Sequence, residues 1–450
     1  MGFFGDLFKK PYDNDGNYTV SGRDRVPESG QQLNGVSVTL SDSVDEARLA
    51  RLKEMRPAVL GFPAGHPSRE ILLDFCRKEE VHPCAVFSHE MSDAEVQSTA
   101  EELLRRFTAD DLWTPIRFYA IEGNPENLSL DNDSEPAARA ARMKEIAELL
   151  RKTDPEGQLI LNGILPTAEN RIRAEVWNPM VLQACDGIAG LLGVTWTPAF
   201  PQVNFSSDRD SIAASAAFAK QFGTALQRLE RQIRETLPNS NIQIALLRWG
   251  IQLNGAPQAA KDGVYMASLY RQIRNNSAFI RLACCGPLTG RDGLLETDAG
   301  NCFPTVMGHF LRMARTEPGV WLTLKEIIPD KKGGPAIIWD GIPGVFDPAE
   351  IPLLESSAAR GNGDGRLWLM FTNRSPNKRL NLKVRFSDLP EMHPVQAMVL
   401  RSKKPASANT PGNPEAVACG EINLGKYRNM DHVNLDIPPC CSVTMVLDAG

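Results

Sequence analysis

The stretch from residue 84 to residue 121 decides the architecture. Cys84-Ala-Val-Phe-Ser88 is a short, mostly apolar run. Ser92 and Glu95 then stand three apart, the spacing of a capping box that opens a helix. That helix places Val96, Ala100, Leu103 and Phe107 on one face before the chain enters a second run, Ile116-Arg-Phe-Tyr-Ala-Ile121. A strand, a one-sided helix and another strand at this spacing predict parallel pairing through a right-handed crossover.

Outward from this unit the pattern recurs from about residue 43 to residue 330. Ser43 and Glu46 repeat the capping-box spacing and open a helix to Met55, which leads into the strand Ala58-Val-Leu-Gly-Phe62. A helix carrying Met143, Ile146 and Leu150 stops at Asp154-Pro-Glu-Gly157, and the strand Leu159-Ile-Leu161 follows. Gly187 to Val194, Ile242 to Leu247 and Ala278 to Ala283 complete seven clear strands. The expected fold is α/β, an eight-stranded (β/α) barrel with one strand short or irregular. Past Lys331-Lys-Gly-Gly334 the pattern changes to short strands bounded by Pro, Gly and Asn: Arg366 to Thr372, Leu380 to Phe386, Val395 to Leu400 and Val443 to Leu447. These predict a C-terminal antiparallel β-sandwich, with Gly361 to Gly365 as a hairpin tip or loop. The expected division is an N-terminal segment over 1–43, the barrel over 44–330 and the sandwich over 331–450.

Composition narrows the function. With 450 residues, 42% hydrophobic and 23% charged, the chain buries a large core without help from disulfides or metals. No apolar run approaches the roughly 18 residues of a membrane span. The balance of 49 Lys+Arg against 55 Asp+Glu gives a net charge of -6, and no dense basic block occurs, which argues against nucleic acid as a partner. Nine cysteines, two adjacent pairs among them and no CxxC, predict reduced and mostly buried thiols of a cytoplasmic protein. In Met1 to Lys10, Phe3, Phe4, Leu7 and Phe8 form one apolar stripe on a short helix. That stripe either packs on its own domain or docks on a membrane surface or a partner.

A parallel barrel keeps its active site at the C-terminal ends of its strands. The strand Ile116 to Ile121 runs into Glu122-Gly-Asn-Pro-Glu126, which offers two carboxyls and the carboxamide of Asn124. A carboxyl there acts as general acid or base if its neighbours raise its pKa; otherwise the loop simply caps the next helix. Ile242 to Leu247 ends in Arg248-Trp-Gly250, and arginine, always protonated, binds carboxylates or pairs with them but cannot attack. Trp249 and Trp196 have the shape for stacking on a sugar face or for ordinary packing. Cys284 and Cys285 lack a recognisable histidine partner, and His82 and His89 fall at opposite ends of a strand. No phosphate loop, dinucleotide fingerprint, zinc motif or nucleophile elbow occurs, so neither a cofactor nor a metal is expected.

The order of these pieces resembles the family 51 glycoside hydrolases, the α-L-arabinofuranosidases. Leu49-Ala-Arg-Leu-Lys-Glu-Met-Arg-Pro-Ala-Val-Leu-Gly-Phe-Pro-Ala-Gly65 is similar to the family's first helix and strand, and Asp74-Phe-Cys76 with Val81 to Ser88 is similar to its third strand and the helix before it. Further similar stretches are Ile121 to Asn124, Trp177 to Gly190, Asn301 to Arg315, Phe371 to Ser375, Asn413 to Val417 and Pro438 to Val443. The resemblance covers most of the chain from about residue 44 and implies a (β/α)8 barrel followed by a sandwich. It also implies a capacity to form homo-oligomers.

The family's catalytic residues are altered here. Its acid/base glutamate directly follows the Gly-Asn pair, whereas Pro125 follows Asn124 and the candidate acids are Glu122 and Glu126. Arg248 stands where the family has its nucleophilic glutamate, and Gly193-Val-Thr-Trp196 lacks the family's histidine at the sixth strand. A retaining glycosidase needs two carboxyls about 5 to 5.5 Å apart. The expectation is therefore a non-catalytic relative that binds a glycan or a protein through the barrel mouth or the sandwich, with Asn124, Trp196, Arg248 and Trp249 as binding candidates. The alternative is a glycoside hydrolase with a rewired site built on Glu122 or Glu126.

Overall fold

The computed structural model describes residues 16–21, 33–108, 113–123, 125–127, 134–198, 205–253, 256–298, 301–314, 321–324, 327–329, 336–342, 347–361, 366–387, 391–424 and 432–449. Met1 to Lys10, Asn124 and the lysine-glycine junction at 331–334 lie outside them.

Eight parallel strands close into a barrel in chain order. They are Leu33–Ser37, Val59–Pro63, His82–Ser88, Phe118–Glu122, Gln158–Asn162, Leu191–Trp196, Gln243–Trp249 and Ile280–Cys285. The barrel expected from the sequence is thus present, and its eighth member is the short strand Leu33–Ser37. That strand lies in the segment the sequence reading left outside the barrel, so the barrel begins at Leu33 and Val59–Pro63 is its second strand. Its apolar run is broken by Asn34 and Gly35, which hides it from a pattern search. The glycine is required: a Cβ at Gly35 would lie 2.6 Å from the Val59 carbonyl and 2.7 Å from Cys284 Sγ.

Helices α1 (Glu46–Met55), α2 (Arg69–Lys78), α3 (Asp93–Thr108), α4 (Ser134–Thr153), α5 (Arg171–Ala184), α6 (Asp208–Thr236) and α7 (Ala260–Asn275) connect successive strands, and α8 (Val306–Ala314) follows the last. The capping box of α3 forms: Ser92 N–H donates to Glu95 Oε2 at 2.8 Å and Glu95 N–H donates to Ser92 Oγ at 3.4 Å. The Ser92 hydroxyl, which donates to Glu95 Oε2 at 2.7 Å, and then the Ser92 N–H hold the Glu95 carboxyl below the usual carboxylate range. At α1 the cap is Asp45, whose Oδ1 accepts from Arg48 N–H at 2.9 Å, and not Ser43. Asp45 stands directly before the first helical residue, where its oxygen meets the exposed N–H groups.

Alternation along each strand sorts the barrel into two faces. Tyr119, Ile121, Leu159, Leu161, Val194 and Leu246 face out into the main core beneath the helices. Val59, Cys84, Phe118, Ala120, Ile160, Leu191, Ala245, Leu282 and Cys284 fill the interior as a separate cluster. Cys284 points in and Cys285 points out, as expected of neighbours on a strand. All nine cysteines are free thiols, seven of them buried. Burial pushes the Cys84 thiol up to about 12.

Two sheets form the sandwich. One has six strands in the order Trp321–Leu324, Leu354–Gly361, Leu367–Asn373, Cys441–Ala449, Met392–Ser402 and Val417–Glu421. The other has four: Ile327–Pro329, Gly16–Ser21, Leu380–Ser387 and His432–Ile437. Gly16–Ser21 is an interior strand, parallel to Leu380–Ser387 with Gly16 opposite Leu382. The chain therefore contributes a strand to the sandwich, builds the barrel and returns. Phe371, Leu382, Val384, Val443 and Leu447 are among the residues that fill the core between the sheets.

At the seam between α7 and the sandwich, Glu355 is only 2% exposed. Its carboxylate lies 2.5 Å from Arg374 Nη2 and 3.3 Å from Arg271 Nη1, and it accepts from Ser268 Oγ at 2.7 Å. Arg374 Nη2 also donates to Ser268 Oγ at 2.9 Å. A buried charge is tolerated when it is paired and hydrogen-bonded in this way.

Candidate functional site

The last inward residue of each strand rings the open end of the barrel. Continuing the alternation past the apolar interior gives Ser37, Ser88, Glu122, Asn162 and Thr195 on the first, third, fourth, fifth and sixth strands. Each is polar, where the positions beneath them are apolar or glycine. Sequence inspection singled out Glu122 alone of these five. The signal that reveals the rest is a single polar residue ending an inward-facing apolar series, legible only once strand ends are fixed.

The seventh strand departs from simple alternation. Leu246 and Trp249 both pack into the outer core, three residues apart. The register against the sixth strand shifts between Val194 and Thr195, so that Val194 faces Leu246 while Thr195 faces Arg248. This is a β-bulge, in which two residues oppose one. It turns both Leu247 and Arg248 to the inner face. Leu247 fills the interior, 2.7 Å from where a Cβ on Gly193 would stand. Arg248 sits above it at the mouth beside Thr195.

Backbone hydrogen bonds hold this end of the sheet past the bulge. Gly250 N–H donates to the Trp196 carbonyl at 3.1 Å, and Gly286 N–H to the Trp249 carbonyl at 3.1 Å. Arg248 is half-buried, and its Nε is shielded from solvent with no hydrogen-bond partner. Among the described residues its guanidinium makes no ion pair.

Glu122 is exposed at the end of the fourth strand. Its carbonyl accepts from His89 N–H at 3.0 Å, with His89 Nδ1 at 3.1 Å, which ties the turn after the third strand to the fourth. Gly123 follows because the chain passes close over α4 and α5: a Cβ there would meet Met143 Sδ at 2.6 Å and Trp177 at 3.0 Å. Arg139 Nη1 donates to the Gly123 carbonyl at 3.1 Å. Asn162 is positioned through its carbonyl, which accepts from Trp177 Nε1 at 2.9 Å.

The other candidates from the sequence fall elsewhere. Trp196 is 3% exposed and stacks on Phe222 of α6 with ring centroids 4.8 Å apart. Trp249 is 1% exposed and lies 6.2 Å from the Tyr270 ring of α7. Both are outer-face residues behind the barrel wall, so neither stacks on a ligand in the mouth. Trp196 follows the plain alternation of the sixth strand after Leu192 and Val194, and the bulge accounts for Trp249, because it leaves Arg248 on the inner face and turns Trp249 out. Asn124 lies outside the described residues. Glu126 belongs to the 3-10 turn Pro125–Asn127, and its side chain also lies outside them.

Among the described residues no group of three or more His, Cys, Asp or Glu is placed to hold a metal ion. An open cavity of about 600 Å³ bordered by Gln227, Arg231, Arg234, Asn275 and Phe279 lies at the opposite end of the barrel, where α6 and α7 return to the strands. None of the ring residues borders it.

The architecture is a parallel eight-stranded barrel joined to a sandwich, with polar strand ends at the mouth. Comparison with solved structures agrees. The chain superposes on the GH51 arabinofuranosidase from Xanthomonas axonopodis pv. citri with a TM-score of 0.72 at 13% identity, covering 96% of this chain and 99% of that one. A family 51 α-L-arabinofuranosidase from Bifidobacterium longum gives 0.74 at 13% identity, over 97% and 100% of the two chains. A Paenibacillus polymyxa xyloglucanase from glycoside hydrolase family 44 gives 0.63 at 10% identity, over 96% and 99%. No protein-family model matches the sequence, and no curated protein matches it. The fold of the family 51 arabinofuranosidases is therefore shared along nearly the whole chain. Among the described residues no helix is long and apolar enough to cross a membrane.

Proposed function

We propose that this chain is a glycosidase-like protein that binds a glycan at the barrel mouth without cleaving it. The observation that carries this reading is the charge of the inner ring: among the described residues its charged members are Glu122 and Arg248, one acid and one cation. Retaining hydrolysis requires a second carboxyl about 5 to 5.5 Å from the first, acting as nucleophile. A guanidinium at that end of the seventh strand cannot attack the anomeric carbon, and it opposes the positive charge that builds on the sugar in the transition state. The hydroxyls of Ser37 and Thr195 and the amide of Asn162 are suited to sugar hydroxyls. They do not supply the apolar or aromatic anchors that dominate protein–protein contacts, which favours a glycan over a protein as the ligand.

The test is turnover. Purified protein assayed on aryl α-L-arabinofuranoside and a panel of other aryl glycosides is expected to release no phenol above the buffer rate, with Glu122→Gln indistinguishable from wild type. Hydrolysis that disappears in Glu122→Gln or in Glu126→Gln would overturn the non-catalytic reading in favour of a rewired hydrolase.

A further inference from the structure

Resting on that glycan-binding reading, we propose that Arg248 is an oxyanion seat, and that the glycan bound in the mouth carries a carboxylate or a sulfate that docks on it. Position comes first: the bulge after Val194 brings Arg248 to the inner face, and Leu247 beneath it closes off the barrel interior. The guanidinium therefore has its place at the mouth. Its pairing state comes second. Two buried arginines elsewhere in this chain are neutralised from within: Arg117 holds Asp154 through two hydrogen bonds of 2.6 and 3.0 Å, and Arg374 meets Glu355 at 2.5 Å. Arg248, half-buried at a strand end, has no such carboxylate partner among the described residues.

A planar guanidinium fork matches the paired oxygens of carboxylate and sulfate. Thr195, in register with Arg248 across the sheet, puts a hydroxyl beside the same anion. Glu122, on the fourth strand, repels an anion and accepts from sugar hydroxyls. A ligand with an acidic group toward the seventh strand and neutral hydroxyls toward the fourth suits both ends of the mouth. In a protein of net charge -6 a general attraction for anions is absent, so any preference for them must be local.

The experiment measures binding of matched oligosaccharides to the full chain by calorimetry: tetragalacturonate against its methyl ester for the carboxylate, and sulfated against unsulfated galactan oligosaccharides for the sulfate. At least one acidic member should bind about tenfold or more tightly than its neutral match. That advantage should shrink as salt is raised and vanish in Arg248→Met, where acidic and neutral members should bind equally. Arg248→Lys should keep part of the preference, since the charge remains and the fork is lost. Equal binding of acidic and neutral members, or a preference that survives in Arg248→Met, would overturn the seat and leave the glycan reading standing. Inorganic sulfate separates the converse case. Sulfate binding lost in Arg248→Met, with no oligosaccharide bound, keeps the seat but sinks the glycan reading on which the acidic-sugar ligand rests.

Discussion

The molecule places arginine and glutamate together in two regions, the seam between α7 and the sandwich and the mouth of the barrel, and it treats them in opposite ways. At the seam Glu355 is enclosed and answered by Arg374, Arg271 and Ser268. At the mouth Glu122 is exposed, and Arg248 has no ion-pair partner among the described residues. Charges that fasten parts of a protein are neutralised within it, because an unanswered buried charge is costly. Arg248, left unanswered among the described residues at a strand end, remains open to a ligand. The contrast separates a structural cation from a recognising one without reference to any relative.

Three experiments break or sharpen this contrast. The largest effect belongs to Glu355→Ala, which strands Arg374 in a buried site. A loss of about 3–5 kcal/mol is expected in urea unfolding, with much of it recovered in the double variant Glu355→Leu/Arg374→Met. A loss below about 1 kcal/mol would mean that the seam does not depend on the pair.

Acid comes next. Burial pushes the Glu355 carboxyl up, but Arg374, Arg271 and Ser268 outweigh it and hold the pKa below the ordinary glutamate value of about 4.5. A group whose folded pKa is depressed stabilises above its unfolded pKa and loses that contribution as pH falls through the folded value. The melting-temperature advantage of wild type over the double variant should therefore be constant from about pH 7 to pH 5 and shrink below about pH 4.5. An advantage that grows on acidification would contradict the assigned direction.

The smallest effect belongs to Arg248→Met, which should change unfolding stability by less than about 0.5 kcal/mol, since no internal partner is lost. A loss comparable to that of Glu355→Ala would place Arg248 among the fastening charges and erase the contrast.

Much of this fold was legible in the sequence. The period of apolar residues in α3, with its Ser92–Glu95 box, marks one helix between two strands, and repetition of that unit leads to the barrel. Leu33–Ser37 escaped notice because a five-residue strand built around Gly35 carries almost no apolar signal; its place is fixed by close contact with Val59 and Cys284. Gly16–Ser21 was missed because its partners lie more than 300 residues away in the chain, beyond any local pattern. At the mouth, Glu122 and Arg248 were readable as charges at the ends of apolar runs. The orientation of Trp249 was not, because one inserted residue in the seventh strand reverses which side chains face the centre, and a bulge leaves no mark in composition. Ser37, Ser88, Asn162 and Thr195 are ordinary polar residues in sequence and become a ring only when the barrel closes.

The early strand Gly16–Ser21 has a consequence for how the protein is made. Synthesis runs from the N-terminal side, so this strand leaves the ribosome before the barrel, while its neighbour Leu380–Ser387 follows more than 350 residues later. Until Ile327–Pro329 emerges it has no partner in its sheet and must be kept from pairing with other chains. Any fragment cut at residue 331 would lack this inner strand and Ile327–Pro329, baring the hydrogen-bonding edge of Leu380–Ser387. The sandwich is in effect a clasp that only the finished polypeptide can fasten.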